Sequence, residues 1–347
     1  MSSARPEPWP FRPWVGVERG GHLESVHEGL LVVVDDAGEE RAHWGDPSWT
    51  SFLRSSAKMI QALPLVESGA ADAFGLEPRH LALCCASHSG EPVHVGGVRE
   101  ILARAGVDES LLHCGPHPPI HDESARDLVR RGASPAAIHN NCSGKHAGML
   151  ATCVHRGWPP AGYWSPDHPL QREIGATLAD LAGVPTSSID HAVDGCGVPA
   201  FRLPVTRFAH ALARFVGTDA ADGGRSAACS RLFRAMTGHP ELVGGTGRFC
   251  TELPRAAPRP LLAKAGAEGF YAVAWRDDSG RGIALAAKAA GGDTRSRDFA
   301  VTEALHQVGV LDARGVAKLA AFHAGPLRNH AGEPVGRLTS LMNLEPR

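Results

Sequence analysis

The string Ser55-Ser56-Ala57-Lys58 sets a serine and a lysine three residues apart, with Arg54 just before them. At the start of a helix that spacing puts both side chains on one face. A serine hydroxyl is a weak nucleophile. An amine can take its proton when burial or a second cation keeps that amine neutral. The same string also reads as a capping serine and a solvated lysine. A second string, Ser87-His88-Ser89-Gly90-Glu91, follows the apolar run HLALCCA. If that run is a strand, Ser87 stands at a strand-to-helix turn, which can hold a side chain at the end of a sheet. The plainer alternative is a turn serine bonded to its own backbone. Lys264-Ala265-Gly266 ends another apolar run, LLAK, where a glycine permits close approach of a ligand or another backbone.

Thiols form the other cluster. Cys142 and Lys145 lie in Asn140-Asn141-Cys142-Ser143-Gly144-Lys145-His146, and Cys196 lies in the loop DGCGVP beside Asp194. Two thiolates and a nitrogen donor suit zinc, with a fourth position left to water. His139 and His146 are the conventional nitrogen donors, because a lysine must first lose its proton. Buried unliganded cysteines remain the alternative. The eight cysteines do not read as a disulfide framework in a chain of 347 residues.

These side chains need a scaffold. Strands are expected over Val15–Gly21, His22–Asp35 and Glu40–Trp44, and again over Leu261–Ala265, Gly269–Trp275 and Gly282–Ala290. Helices are expected over Ser55–Ala73, with Pro64 as a kink, and over Val93–Ala105, His121–Arg131 and Lys145–Arg156. Others are expected over Asp167–Ala182 (capped by Ser165 with Pro166), Leu203–Val216, Ser226–Thr237, Ser296–Val308 and Asp312–Phe322. His80–Ala86 reads as a short strand. Strands at both chain ends with helices between them predict an α/β fold, one sheet built from both ends with a helical insertion over roughly 90–257. The proline-rich residues 1–14 read as an arm and 15–347 as one unit, with Gly217–Gly224 the most linker-like stretch.

Lys plus Arg number 35 against 37 Asp plus Glu. No basic footprint for nucleic acid or an anionic membrane follows from that balance. No run of about 18 apolar residues is available to span a membrane. The N-terminal string lacks the apolar core of about 7–15 residues that a signal peptide needs, so a cytoplasmic location is expected.

Taken in order, RSSAKMIQALPLVESGA, ASHSGE, HNNCSGKHAGML, DGCGVP and AKAGAEG resemble the L-asparaginase II family of the rhizobial type. The resemblance runs from the ERGG segment near the N-terminus to AKAGAEG. It implies a fold like that of serine β-lactamases and serine-dependent glutaminases, and hydrolysis of L-asparagine to L-aspartate and ammonia. It implies two Ser–Lys pairs, which fall on Ser55 with Lys58 and on Ser87 with Lys264. It implies a zinc site on Cys142, Lys145 and Cys196, completed by water, and a homodimer. Against the β-lactamase pattern, Ala265 stands where a Lys-(Ser/Thr)-Gly strand has a hydroxyl residue, which argues against penicillin recognition. The expected chemistry is attack by Ser87 with Lys264 as proton acceptor, while Ser55 and Lys58 relay protons. Backbone N–H groups at the Ser87 turn are expected to hold the oxyanion. Arg54, Glu91 and Asp194 are expected to hold the substrate's charged α-groups. A glutaminase or broader amidase, or a non-catalytic amino-acid- or metal-binding relative, stands as the alternative.

Overall fold

The computed structural model describes residues 9–323 and 325–344. Strands β1 (Arg12–Arg19), β2 (His22–Asp35) and β3 (Glu40–Trp44) come from the N-terminal part of the chain. A small sheet uses β4 (Thr50–Phe52), β5 (Asp190–Val193) and β6 (Pro199–Pro204). The C-terminal part gives β7 (Leu261–Ala265), β8 (Phe270–Arg276), β9 (Gly282–Ala289), β10 (Leu327–Arg328) and β11 (Pro334–Ser340). The main sheet runs β10-β11-β1-β2-β9-β8-β7, with β3 also on β2, and its pairings are antiparallel. The expected α/β architecture, a mostly antiparallel sheet made by both chain ends around inserted helices, is therefore observed.

The LLVVV run of β2 has a core on each side. Leu30, Val32 and Val34 face one apolar cluster, and Leu31 and Val33 face the other. A strand covered on both faces carries a continuous apolar run instead of an alternating one. The helix Val205–Gly217 covers one face and Thr294–Gln307 the other. Along β7 the same period of two puts Leu262 on the side of the helical insertion and Leu261 and Ala263 on the opposite side. Lys264 shares the Leu262 side.

Several boundaries differ from expectation. His80–Ala86 is not a strand: Pro78–Cys84 is a helix, with Pro78 in its first turn and the His80 ring accepting from Glu77 N–H at 3.0 Å. A short apolar run buried all round has no period that separates helix from strand. The expected helix over Ser55–Ala73 is a 3₁₀ turn, Arg54–Ala57, followed by short helices Lys58–Gln61, Leu63–Glu67 and Ala70–Ala73. His168, not Ser165, caps the helix Pro169–Ala182, accepting from Leu170 N–H. Leu203 belongs to β6, and β4, β5, β10 and β11 were not anticipated. The insertion accordingly contains part of a small sheet. Residues 1–8 of the expected arm lie outside the described residues. Strand β1 already begins at Arg12, and Trp14 is fully buried.

Candidate active site

Ser87 follows the helix Pro78–Cys84 rather than a strand. Its turn is anchored to two other segments: Ser87 N–H donates to Val243 O at 3.0 Å and His88 N–H to Asn141 O at 3.2 Å. Those two N–H groups are thereby occupied, so neither is free for an oxyanion. The buried His88 ring accepts from Gly90 N–H and meets Ser143 Oγ at 3.0 Å, joining the turn to the helix Ser143–Arg156. Gly144 makes that union possible, since a Cβ there would collide with the Leu83 carbonyl.

Two lysines converge on Ser87 Oγ. Lys58 Nζ lies 3.0 Å away and Lys264 Nζ 2.8 Å away. All three residues are buried, Lys264 at 0% and Lys58 at 1% exposure. Lys58 Nζ also meets Ala86 O at 2.6 Å and Cys142 Sγ at 3.2 Å, so its three donors face three acceptors. Lys264 Nζ has Ala265 O at 2.9 Å as its second partner. Burial pushes Lys264 down to about 7, with the Lys58 and Arg248 charges acting the same way and Cys250 opposing them. A lysine near 7 offers a neutral amine at neutral pH.

The expected pairing of Ser55 with Lys58 is not formed. Lys58 turns to Ser87, and it meets Ser55 only through its backbone N–H, which donates to Ser55 O. The 3₁₀ turn that carries Ser55 is bolted to the sheet: Ser56 Oγ donates to Lys264 O at 3.1 Å. A Cβ on Gly266 would come within 2.8 Å of Leu53 O and 2.9 Å of Ser56 Oγ, so the turn can lie against β7 only beside a glycine. Arg54 opens this turn at φ +50°, a backbone conformation that costs a residue with a side chain about 1–3 kcal/mol.

Arg54 and Asp194 come together because Leu53 N–H donates to Phe201 O, joining the turn to the β5–β6 hairpin. Arg54 Nε and Nη2 lie 3.1 and 3.0 Å from Asp194 Oδ1. Glu91 is placed differently from expectation. Its oxygens accept from Thr246 N–H and Thr246 Oγ1, both at 2.8 Å, so its carboxylate is committed to the loop 244–248. That loop is the part of the site the sequence reading missed. Arg248 Nη1 donates to Ser87 O at 2.7 Å, and Ser89 Oγ donates to Gly244 O at 2.9 Å. The run Gly244-Gly245-Thr246-Gly247-Arg248, a cation behind three glycines, was the signal available.

The thiols meet next to Lys58. Lys145 Nζ donates to Cys196 Sγ at 2.9 Å, and Cys142 Sγ donates to Asn141 Oδ1 at 3.1 Å. The neighbouring Cys196 side chain holds the Cys142 thiol well below its usual range; burial opposes this, and Lys58 and Lys145 add to it. Burial works against charge on Lys145, but the two sulfurs outweigh it and raise its pKa. Neither histidine offered as a nitrogen donor shares these contacts. His139 Nδ1 accepts from Ala136 N–H, and His146 Nδ1 meets Tyr163 OH at 2.6 Å. Among the described residues, no group of three or more His, Cys, Asp and Glu side chains is placed to hold a metal. Two thiols and an amine whose charges act on one another, with Lys145 on Cys196, nevertheless fit a thiolate–amine donor set once the amine loses its proton.

A buried serine between two lysines, one of them with its pKa brought near 7, on a helix-covered antiparallel sheet, is equipment for acyl transfer from an amide. In class the protein is an amidohydrolase. It belongs to the L-asparaginase II family, whose model matches residues 15–340. None of the curated proteins compared with the chain matches it. Among solved structures, the covalent complex of the Bacillus subtilis glutaminase YbgJ with 5-oxo-L-norleucine is similar at 14% identity and a TM-score of 0.36. That match covers 80% of this chain and 88% of that one. Mglu in its native form is similar at 14% identity and a TM-score of 0.33, over 84% of this chain and 64% of that one. Likeness at this level bears on neither substrate nor mechanism. No described helix is long and apolar enough to cross a membrane.

Proposed function

We propose that the protein is an L-asparaginase, converting L-asparagine and water to L-aspartate and ammonia with Ser87 as nucleophile. The observation that carries this is the placement of Ser87 Oγ between Lys264 Nζ at 2.8 Å and Lys58 Nζ at 3.0 Å. Neutral Lys264 accepts the Ser87 hydroxyl proton as Oγ attacks the side-chain amide carbon. The Lys58 N–H group stabilises charge on Oγ. As the C–N bond breaks, Lys264 returns its proton to the departing nitrogen, which leaves as ammonia. Water then attacks the acyl-serine, giving a proton to Lys264, and as the bond to Oγ breaks Lys264 returns that proton to Oγ, releasing the acid and restoring the hydroxyl. Positioned base catalysis of this kind contributes about 10²–10⁴-fold.

Ser55, half-buried on a turn touching β7, is assigned to the water or leaving-group side. Asp194, held by Arg54, is assigned to the substrate's α-ammonium group. Cys142, Lys145 and Cys196 would hold zinc. When bound, the ion would act as a Lewis acid orienting the polar groups around it. The resemblance adds a homodimer to this reading.

Ammonia release from L-asparagine by the purified protein, with L-glutamine measured alongside, tests the proposal. Turnover of L-asparagine that disappears in Ser87→Ala supports it. A preference for the longer amide makes the protein a glutaminase using the same residues. An acyl label recovered on Ser55 and absent from Ser87 overturns the nucleophile assignment.

A further inference from the structure

An α-amino acid substrate brings a carboxylate that needs a cation, and most cations of the site are already engaged. Lys58 has three acceptors, and Lys264 is committed to Ser87 and Ala265. Lys145 is on Cys196, and Arg54 is paired with Asp194. Arg248 differs. It is half-buried, and only Nη1 is used, donating to the carbonyls of Ser87 at 2.7 Å and Gly244 at 3.4 Å. Among the described residues, no carboxylate lies within ion-pair distance of it. Asp298, an acid whose pKa Arg248 influences, is held by Arg297 at 2.6 Å. A guanidinium has five N–H donors, so the Arg248 fork retains donors for a planar, bidentate anion.

Its position is fixed from several sides. Glu91 holds Thr246 by both oxygens, Thr251 Oγ1 donates to Gly245 O at 2.6 Å, and Ser89 Oγ holds Gly244 O. A charge held in place before the ligand arrives loses little ordering entropy on binding. The reach is also right. Three C–C bonds of about 1.5 Å each separate the side-chain amide carbon of asparagine from its carboxylate carbon. The carboxylate partner must therefore stand close to the nucleophile, and Arg248 touches the nucleophile's own carbonyl.

We infer that Arg248 is a substrate-binding residue, its free guanidinium edge receiving the α-carboxylate of the amino acid whose side-chain amide Ser87 attacks. This rests on the amidohydrolase reading above. It adds a binding role to the clamp on Ser87, and it makes an α-carboxylate a requirement for tight binding.

The test is steady-state kinetics on the full chain with L-asparagine, comparing Arg248→Gln and Arg248→Lys with the unaltered protein. L-Aspartate serves as a carboxylate-bearing competitive inhibitor. A lost charged hydrogen bond predicts that KM rises roughly tenfold or more in Arg248→Gln while kcat stays within about threefold. Inhibition by L-aspartate should weaken by a similar factor, and Arg248→Lys, which keeps the charge without the fork, should fall between. A fall in kcat with KM and aspartate inhibition unchanged overturns the inference, leaving Arg248 as a clamp on Ser87 alone. Unchanged kinetics overturn it as well. Turnover of L-asparagine that is abolished by Ser87→Ala is checked first. If it is absent, the parent reading fails, and calorimetric titration of L-aspartate into the unaltered and Arg248→Gln proteins then decides the role of Arg248 by itself.

Discussion

Ser87 is the proposed nucleophile, and since its own hydroxyl is no better a nucleophile than any other serine's, its neighbours must activate it. Lys264 is the neighbour whose protonation state matters. Buried and faced by Lys58 and Arg248, with the Cys250, Cys142 and Cys85 thiols nearby, it has a pKa lowered to about 7. Below that value Lys264 holds its proton and cannot accept another from Ser87. Above it the amine is free. The acid limb of kcat/KM should therefore rise with pH through about 7, and a pH–rate profile of ammonia release checks it. Lys264→Met should cost about 10²–10⁴-fold in kcat and erase that limb. Ser87→Ala should lower kcat by at least about 10³-fold with folding intact, as judged by circular dichroism and a thermal melt. Retention of activity in Ser87→Ala would move the nucleophile elsewhere, with Ser55 the first place to look.

At the scale of elements, three segments far apart in sequence are locked edge to edge around the serine. The turn Arg54–Ala57 is hydrogen-bonded to β7 through Ser56, the Ser87 turn is held by Val243 and Asn141, and the loop 244–248 is held by Glu91 and Ser89. Gly266 sits where the first of these unions is tightest, with space for a hydrogen but none for a methyl group. Gly266→Ala should push the turn off β7 and destabilise the protein by about 1–3 kcal/mol, measured by urea denaturation. Activity should fall further than that loss of stability explains, because Lys58 and Lys264 enter the site from the two elements being separated. A variant as active and as stable as the parent would show that the contact has slack.

At the scale of the whole molecule, Lys145 on Cys196 ties the helix Ser143–Arg156, which Cys142 precedes, to the β5–β6 hairpin. A metal bound there stabilises only the folded state. Elemental analysis after purification with zinc should find one zinc per chain, falling to none in Cys142→Ala and in Cys196→Ala. Chelation should lower the melting temperature of the parent and leave both variants where they are. A zinc-free parent under zinc-replete conditions would refute the site. Much of this was legible in the residue order. The apolar runs at both ends set the sheet and its two-sided core, because burial on both faces demands uninterrupted apolar residues. The order of Ser, Lys and Cys strings named the chemistry and the family, since reactive side chain types beside glycines survive as short local patterns. It misread His80–Ala86, because a fully buried short run carries no period, and it missed the role of the loop 244–248, which holds a cation that reads as ordinary until it is placed. Packing alone put Lys58 beside Lys264 at Ser87, turned Glu91 to a loop, and brought Arg248 to the Ser87 carbonyl. The unforeseen contacts join residues up to 161 positions apart. Local spacing encodes which face a side chain leaves from, but distance across the fold depends on how whole elements pack.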